Sequence, residues 1–384
     1  MPLLSVPPAS SRATARLAVA ALLLVALLAP RALPQDAGAP PADPPGSAAP
    51  DQQAPPATPA EASQPPFTLQ PGEVARIDDT LSLTDADLDR YLATVYARMP
   101  EGDAVLNQLV AEAAIEHDGE ALGFVVTDAD IDAAQASLDE QARAAGGEGL
   151  AASLGKNVSP ATLRHALKLL VLHERLVRST QNLPADAPVD PQQLKLWLDG
   201  RMSTANVQPA PLDDPLAATF DAGTITKAQV GARLRTVLDP KDVSGVLTEM
   251  LGVLLVRRKA NELAIDLTPA AATQEVIDRD QALRARAGVG DVTYRQYLET
   301  VQKRTLEELL RSDKFSTEVL IRLIVQRDWT EETAKAFWEK NRESFAKTVG
   351  DDATWETARP AVWRELRQRA YRRLFEESTI VRRF

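Results

Sequence analysis

The stretch "EALGFVVTDADI", residues 120–131, closes one helix, passes through a short extended piece and opens another; "NELAIDLTPAAA", residues 261–272, spells the same turn again. Thr127 with Asp130 has the spacing of a capping box, in which a hydroxyl takes a free backbone N–H and the third residue reaches back. Thr268 precedes Pro269, whose missing N–H costs nothing at the first helical position. These turns decide the fold: a chain punctuated by helix caps is helical, and one that repeats its punctuation is a tandem repeat.

Working outward, the other starts are equally well marked. Thr84 with Asp87 and Thr226 with Gln229 have the capping-box spacing, and Ser159-Pro160 and Asp190-Pro191 place a cap before a first-turn proline. Between them apolar residues recur every three or four positions. Leu106, Leu109, Val110, Ala113, Ala114 and Leu122 form one stripe, and Leu163, Leu167, Leu170, Val171 and Leu176 another, with Glu174 at its edge. The expected fold class is therefore mainly α, with short extended segments.

The starts fall in the same order twice. "RIDDTLSLTDADLDRYL" at 76–92 has a counterpart in "ATFDAGTITKAQVGARL" at 218–234. A shift of about 141 residues lays Leu106 on Leu247, Leu109 on Met250, Val110 on Leu251, Leu122 on Leu263 and Thr127 on Thr268. "SPATLRHALKLLVLHERLV" at 159–177 matches "KRTLEELLRSDKFSTEVLI" at 303–321 more loosely, and "VDPQQLKLWLDGRM" at 189–202 matches "WTEETAKAFWEKNR" at 329–342, with Trp197 over Phe337. The division expected is a first module at 67–205, a second at 206–345, and a closing C-terminal helix at 346–384 that packs back on the modules, its Val362, Leu366, Ala370 and Leu374 stepping by four.

The ends read differently. Arg12 and Arg16 precede the apolar run Leu17 to Ala29, so residues 1–34 have the pattern of a cleavable export signal, and a periplasmic or secreted location is expected. Thirteen apolar residues fall short of the roughly 18 to 20 that a spanning helix needs, which favours cleavage over an uncleaved anchor. Residues 35–66 are dominated by proline and alanine, cannot bury a core, and read as a disordered linker. The formal charge of −11 becomes −14 once Arg12, Arg16 and Arg31 are removed, which speaks against nucleic-acid partners. There is no cysteine, hence no disulfide framework and no thiolate chemistry.

The ordered set "TITKAQV", "ALGFVVTDADIDAA" and "WTEETAKAFWEKNRESF" resembles the N-terminal chaperone domain of SurA-like, PpiD-like and PrsA-like extracytoplasmic foldases, over most of residues 74–345. The resemblance implies two tandem helical modules closed by a long C-terminal helix. In that family a parvulin prolyl isomerase domain of about a hundred residues usually follows; here only "AKTVGDD", residues 346–352, separates the second module from the closing helix. The expectation is a protein without catalysis, a holdase-type chaperone for unfolded or partly folded exported polypeptides, outer-membrane proteins among them. It would bind extended client segments weakly, with avidity from two copies. Two other readings stay open: a member of the isomerase family with residual or lost activity, and a cell-envelope adaptor for one folded partner.

Other chemistry finds little support. His165 and His173 lie eight apart, about 12 Å along a helix, too far to share a metal, and read as ordinary helix-surface positions, while His117 stands apart from any glycine-rich turn. "TDADID" lacks the glycine and terminal glutamate of a calcium loop. No cofactor or metal site is expected. Trp197, Phe337 and Trp338 read as core anchors. Met202, Met250 and Trp329 are the candidate lining of a peptide-binding groove, since flexible methionines and partly exposed aromatics suit a surface that must fit many sequences.

Overall fold

The computed structural model describes residues 68–384 except 145, 147, 148, 151–157, 285–291, 303 and 351. The expected export signal and linker lie outside these. The described chain is mainly helical, with fourteen helices and six short strands. All six start signals carry the side-chain bonds that their spacing predicts. Asp87 N–H donates to Thr84 Oγ1, Asp130 N–H to Thr127 Oγ1 and Gln229 N–H to Thr226 Oγ1, each at 3.2 Å. Ser159, Asp190 and Thr268 cap in the same manner.

The chain begins with a hairpin, β1 (Glu73–Ile77) and β2 (Leu81–Thr84). Asp78 and Asp79 form its turn with φ of 48° and 55°, the left-handed pair that a tight hairpin requires. Helices α1 (Asp85–Tyr96), α2 (Pro100–Ala121), α3 (Asp128–Ala144), α4 (Pro160–Thr180) and α5 (Pro191–Thr204) follow. Then the order recurs: β3 (Gln208–Pro209), the hairpin β4 (Leu216–Phe220) and β5 (Gly223–Thr226), α6 (Lys227–Val237), α7 (Pro240–Glu262) and α8 (Pro269–Arg284). Two short helices intervene, α9 (Tyr294–Thr300) and α10 (Leu306–Arg311), before α11 (Asp313–Asp328), α12 (Glu331–Lys340), α13 (Arg342–Val349), the closing helix α14 (Trp355–Glu376) and β6 (Ile380–Arg382).

The counterpart of α4 is α11, not α10. Ser159 caps α4 and Ser312 caps α11, so the loosest of the four sequence matches is corrected from residues 303–321 to a match beginning at Ser312. The reason is local. Thr305 and Ser312 are both good caps, and the inserted α9 and α10 displace the register between them.

Two compact units result, and they do not follow the linear modules. One is Asp89–Asp239; the other joins residues 68–88 to Pro240–Phe384. Strand pairing explains the division. In the first unit β4 is central, antiparallel to β5 (Ala218 opposite Ile225) and to β3 (Ala218 opposite Pro209). In the second, β1 is central, antiparallel to β2 (Ala75 opposite Leu83) and to β6 (Arg76 opposite Val381). Each sheet thus combines the hairpin that begins one repeat with the strand that ends the other. The hairpins are exchanged between repeats.

Within the first unit, α2, α3 and α4 bury Ile115, Ile131, Leu138, Leu167, Leu169 and Leu176, and α5 lies on α4 and α2 through Leu194 and Trp197. The second hairpin and α6 also pack on α2. There Arg233 of α6 grips Glu112 with both terminal nitrogens at 3.1 and 2.9 Å. Within the second unit, α14 packs on α7 and α11, and α12 rests chiefly on α14 and α13. Val362, Leu366 and Leu374 of α14 are buried as their spacing predicts, and Asp78 ties the hairpin to α7 through Arg258 at 2.5 Å and to the closing segment through the Thr379 N–H at 2.6 Å. The closing helix therefore completes the second unit.

Candidate functional site

The turn that opened the sequence reading builds the site. At the end of α2, Phe124 N–H donates to the Gly119 carbonyl and Gly123 N–H to that of Glu120, both at 2.9 Å, with Gly123 at φ 71°. This is a Schellman ending, in which a left-handed residue reverses the chain and satisfies the last carbonyls. The reversal strands Leu122 outside the helix it was expected to bury against: it is 52% exposed. The homologous turn after α7 uses Ala264 at φ 51°, with Ile265 N–H on the Ala260 carbonyl at 2.8 Å.

Beside Leu122, α5 presents Leu196, 61% exposed, and the half-buried Trp197. With Leu176 and Thr180 of α4 they line an open depression of about 550 Å³ at the junction of α2, α4 and α5. Its rim is polar and self-satisfied. Arg201 Nε donates to Asp118 at 2.7 Å and Nη1 to Asp221 at 2.8 Å. Burial pushes the Asp118 carboxyl up, but the hydrogen bond from Arg201 and the neighbouring His117 outweigh it and hold it below the usual carboxylate range. The floor is apolar and the fixed charges already have partners, so the depression favours an apolar side chain over an ion.

Under the floor, His173 packs against Trp197 with ring centroids 4.9 Å apart and the planes tilted by 56°. It is only 4% exposed and its Nε2 has no partner among the described residues, so its expected place on the helix surface is corrected to the core. Burial drives its pKa down to about 4, the Leu194 backbone acting weakly the other way. The covering indole, seen only in the tertiary packing, is what hides it. His165 is partly exposed, with Nε2 3.8 Å from Glu112, whose carboxylate holds the imidazole above its ordinary pKa.

A second depression, about 780 Å³, lies between α3 and α4 over Phe124, Leu138 and Leu170. It is bordered by ion pairs, Arg175 with Asp130 and Arg178 with Glu174, both at 2.8 Å, so its edge is charged but internally paired.

The three residues expected to line a groove are not brought together. Met202 is half-buried on α5, between the lining residues Arg201 and Thr204. Met250 is 8% exposed in the core on α7 and presents no usable surface. Trp329, at the end of α11, packs edge-on to Phe337 at 5.5 Å against the cluster that includes Val362 and Leu366 of α14. Leu122, Leu176 and Leu196 were not singled out as site residues; only the exposure of Leu122 and Leu196, which sequence does not report, marks them. Phe337 and Trp338 do pack in a core cluster, as their expected role as anchors requires.

Among the described residues no group of three His, Asp or Glu side chains could hold a metal ion, and no helix is long and apolar enough to cross a membrane. No protein-family model, curated protein or solved structure matches this chain.

Proposed function

We propose that this protein is an extracytoplasmic holdase-type chaperone that binds apolar segments of unfolded or partly folded exported polypeptides, outer-membrane proteins among them, and does so without catalysis. The observation that carries the reading is the pair Leu122 and Leu196, both more than half exposed and facing one depression floored by Leu176 and Trp197. Exposed apolar side chains that converge on one site mark interaction surfaces, whereas scattered ones do not. Covering the two leucines contributes about 3 kcal/mol, short of the roughly 4 kcal/mol that a millimolar dissociation constant represents. Single contacts of that strength suit transient capture of many clients rather than one tight complex.

The open surface belongs to one repeat. In the other, the position equivalent to Trp197 is Phe337, which packs against the cluster that includes Val362 and Leu366 of α14. Avidity across two equal copies of this depression therefore does not form part of the proposal.

The test is light scattering of a chemically unfolded outer-membrane protein diluted with and without the purified chain at stoichiometric concentration. Suppression of aggregation, reduced in Leu122→Glu and Leu196→Glu chains of unchanged circular dichroism, supports the reading. Full aggregation across several clients overturns it, and a single stoichiometric protein recovered from the cell envelope would favour the adaptor.

A further inference from the structure

We infer that the outer edge of β6 takes an extended, acidic stretch of polypeptide as a further strand, which pairs with the backbone of Ile380 and Arg382 and sets a carboxylate against the Arg382 guanidinium. This surface belongs to the second unit and is independent of the depression in the first.

The two sheets are alike up to this edge. In the second unit Ala75 lies between Leu83 and Arg382, and in the first Ala218 lies between Ile225 and Pro209. Arg382 and Pro209 therefore hold the same place. Asp78 N–H donates to the Thr379 carbonyl and Arg383 N–H to the Val74 carbonyl, both at 2.9 Å. Alternate residues of an antiparallel strand bond the same neighbour, so Thr379, Val381 and Arg383 face β1, while Ile380 and Arg382 turn their N–H and C=O groups outward. In the first unit Ala210 N–H donates to the Ala217 carbonyl at 3.0 Å, so Pro209 likewise faces outward. There the outward position has no N–H to offer, a common protection of a sheet edge. At Arg382 the N–H is present, and the sheet of described strands ends at β6.

Charge selects the occupant. Arg382 is exposed and its guanidinium donates to the Thr248 hydroxyl at 3.1 Å, whereas Arg383 pairs with Asp85, also at 3.1 Å. Arg382 thus has no carboxylate partner among the described residues. A second copy of β6 would bring Arg382 and Arg383 of both chains to one joint, and like charges across a strand pair repel. An acidic strand meets no such penalty. Cross-strand neighbours share a face, so an antiparallel strand presents its carboxylate opposite Arg382 and, two residues on, an apolar side chain opposite the half-buried Ile380. Strand addition of this kind draws affinity from main-chain bonds and selectivity from alternate side chains.

The probe is a fluorescein-labelled peptide of threonines carrying Glu-Thr-Val at its centre, titrated with the full chain and followed by anisotropy. The controls are the same peptide N-methylated at the glutamate and valine amides, and one with lysine in place of glutamate. Saturable binding is expected, weakened tenfold or more by N-methylation, by the lysine exchange and in an Arg382→Pro chain of unchanged circular dichroism. Pro209 shows that the outward position accepts proline. Arg382→Glu, which leaves the N–H in place, should reverse the preference toward the lysine peptide, and a Leu196→Glu chain should bind as the parent does. No binding, equal binding of the N-methylated peptide, or indifference to both Arg382 variants overturns the inference. Binding lost in Leu196→Glu alone also overturns it, by placing the peptide in the depression. So does a self-association, read by sedimentation, that Arg382→Pro abolishes, since the edge would then belong to a second copy. None of these results bears on the chaperone reading, which keeps its own aggregation test.

Discussion

Gly231 of α6 lies against the backbone of Asp89 of α1 so closely that a Cβ at 231 would stand 1.8 Å from the Asp89 carbonyl oxygen. The two residues occupy the same position in their respective repeats, two after the capping partners Asp87 and Gln229. The equivalent helices thus cross at equivalent points, and Arg235 closes the crossing with its Nε 2.6 Å from Asp89.

Gly231→Ala must move two backbones rather than a flexible side chain. Overpacking of this kind costs about 1 to 3 kcal/mol, and at a backbone contact the upper end is expected. Urea unfolding should show the midpoint falling, whereas Gly245→Ala on α7, where a Cβ meets nothing within 4 Å, should hold or raise it.

The turn after α2 and its twin after α7 make a matched pair. Ala264 adopts a left-handed conformation that costs an L-residue roughly 1 kcal/mol and costs glycine nothing. Ala264→Gly should therefore stabilise by about 1 kcal/mol and Gly123→Ala destabilise by a similar amount, both read from thermal melts. Opposite signs at equivalent positions are the signature; equal signs would contradict the shared geometry.

Arg233→Ala leaves Glu112, only 7% exposed, with Gln108 and the more distant His165 as its remaining partners. Burial pushes that carboxyl up, and the neighbouring His165 and Arg233 are what hold it below the ordinary range. Removing one partner of a buried pair costs roughly 3 kcal/mol. Chemical denaturation should show that loss, recovered in part by a Glu112→Gln, Arg233→Ala double variant.

His173 gives a pH dependence whose sign follows from its position. Its folded pKa of about 4 lies below the unfolded value of 6.5, so between them the unfolded chain binds more protons. Stability is complete above about pH 7 and declines as pH falls through 6.5 toward 4, by about 3 kcal/mol in total from this group. His165, raised by Glu112, acts in the opposite sense, contributing at low pH and fading as pH rises through its folded value. A His173→Leu chain should flatten the decline between pH 6.5 and 4.5; an unchanged curve would place the imidazole in water.

Helix starts, the twice-spelled turn and the ladder of α14 were legible in the sequence because each depends on residues within four positions of one another. Thr127 finds Asp130 whatever the rest of the chain does, and Val362, Leu366 and Leu374 share a face by helical geometry alone. The register of α11 was not legible, because Thr305 and Ser312 offer equally good caps and only packing selects which begins the counterpart of α4. The burial of His173 was equally hidden, since the indole that covers it stands 24 residues away on another helix.

The sequence by itself determined that the described chain is a twice-repeated set of capped helices, since propensity, capping and period are local properties. Which hairpin completes which unit, and which leucines are left exposed, only the tertiary structure decided. Strand pairing between β1 and β6 joins residues about 300 apart, and the exposure of Leu122 and Leu196 depends on where α5 comes to rest on α2 and α4. Such pairings carry no local signal: any strand edge or apolar face satisfies the same short-range chemistry, and the competition is settled by the total area that the whole fold can bury.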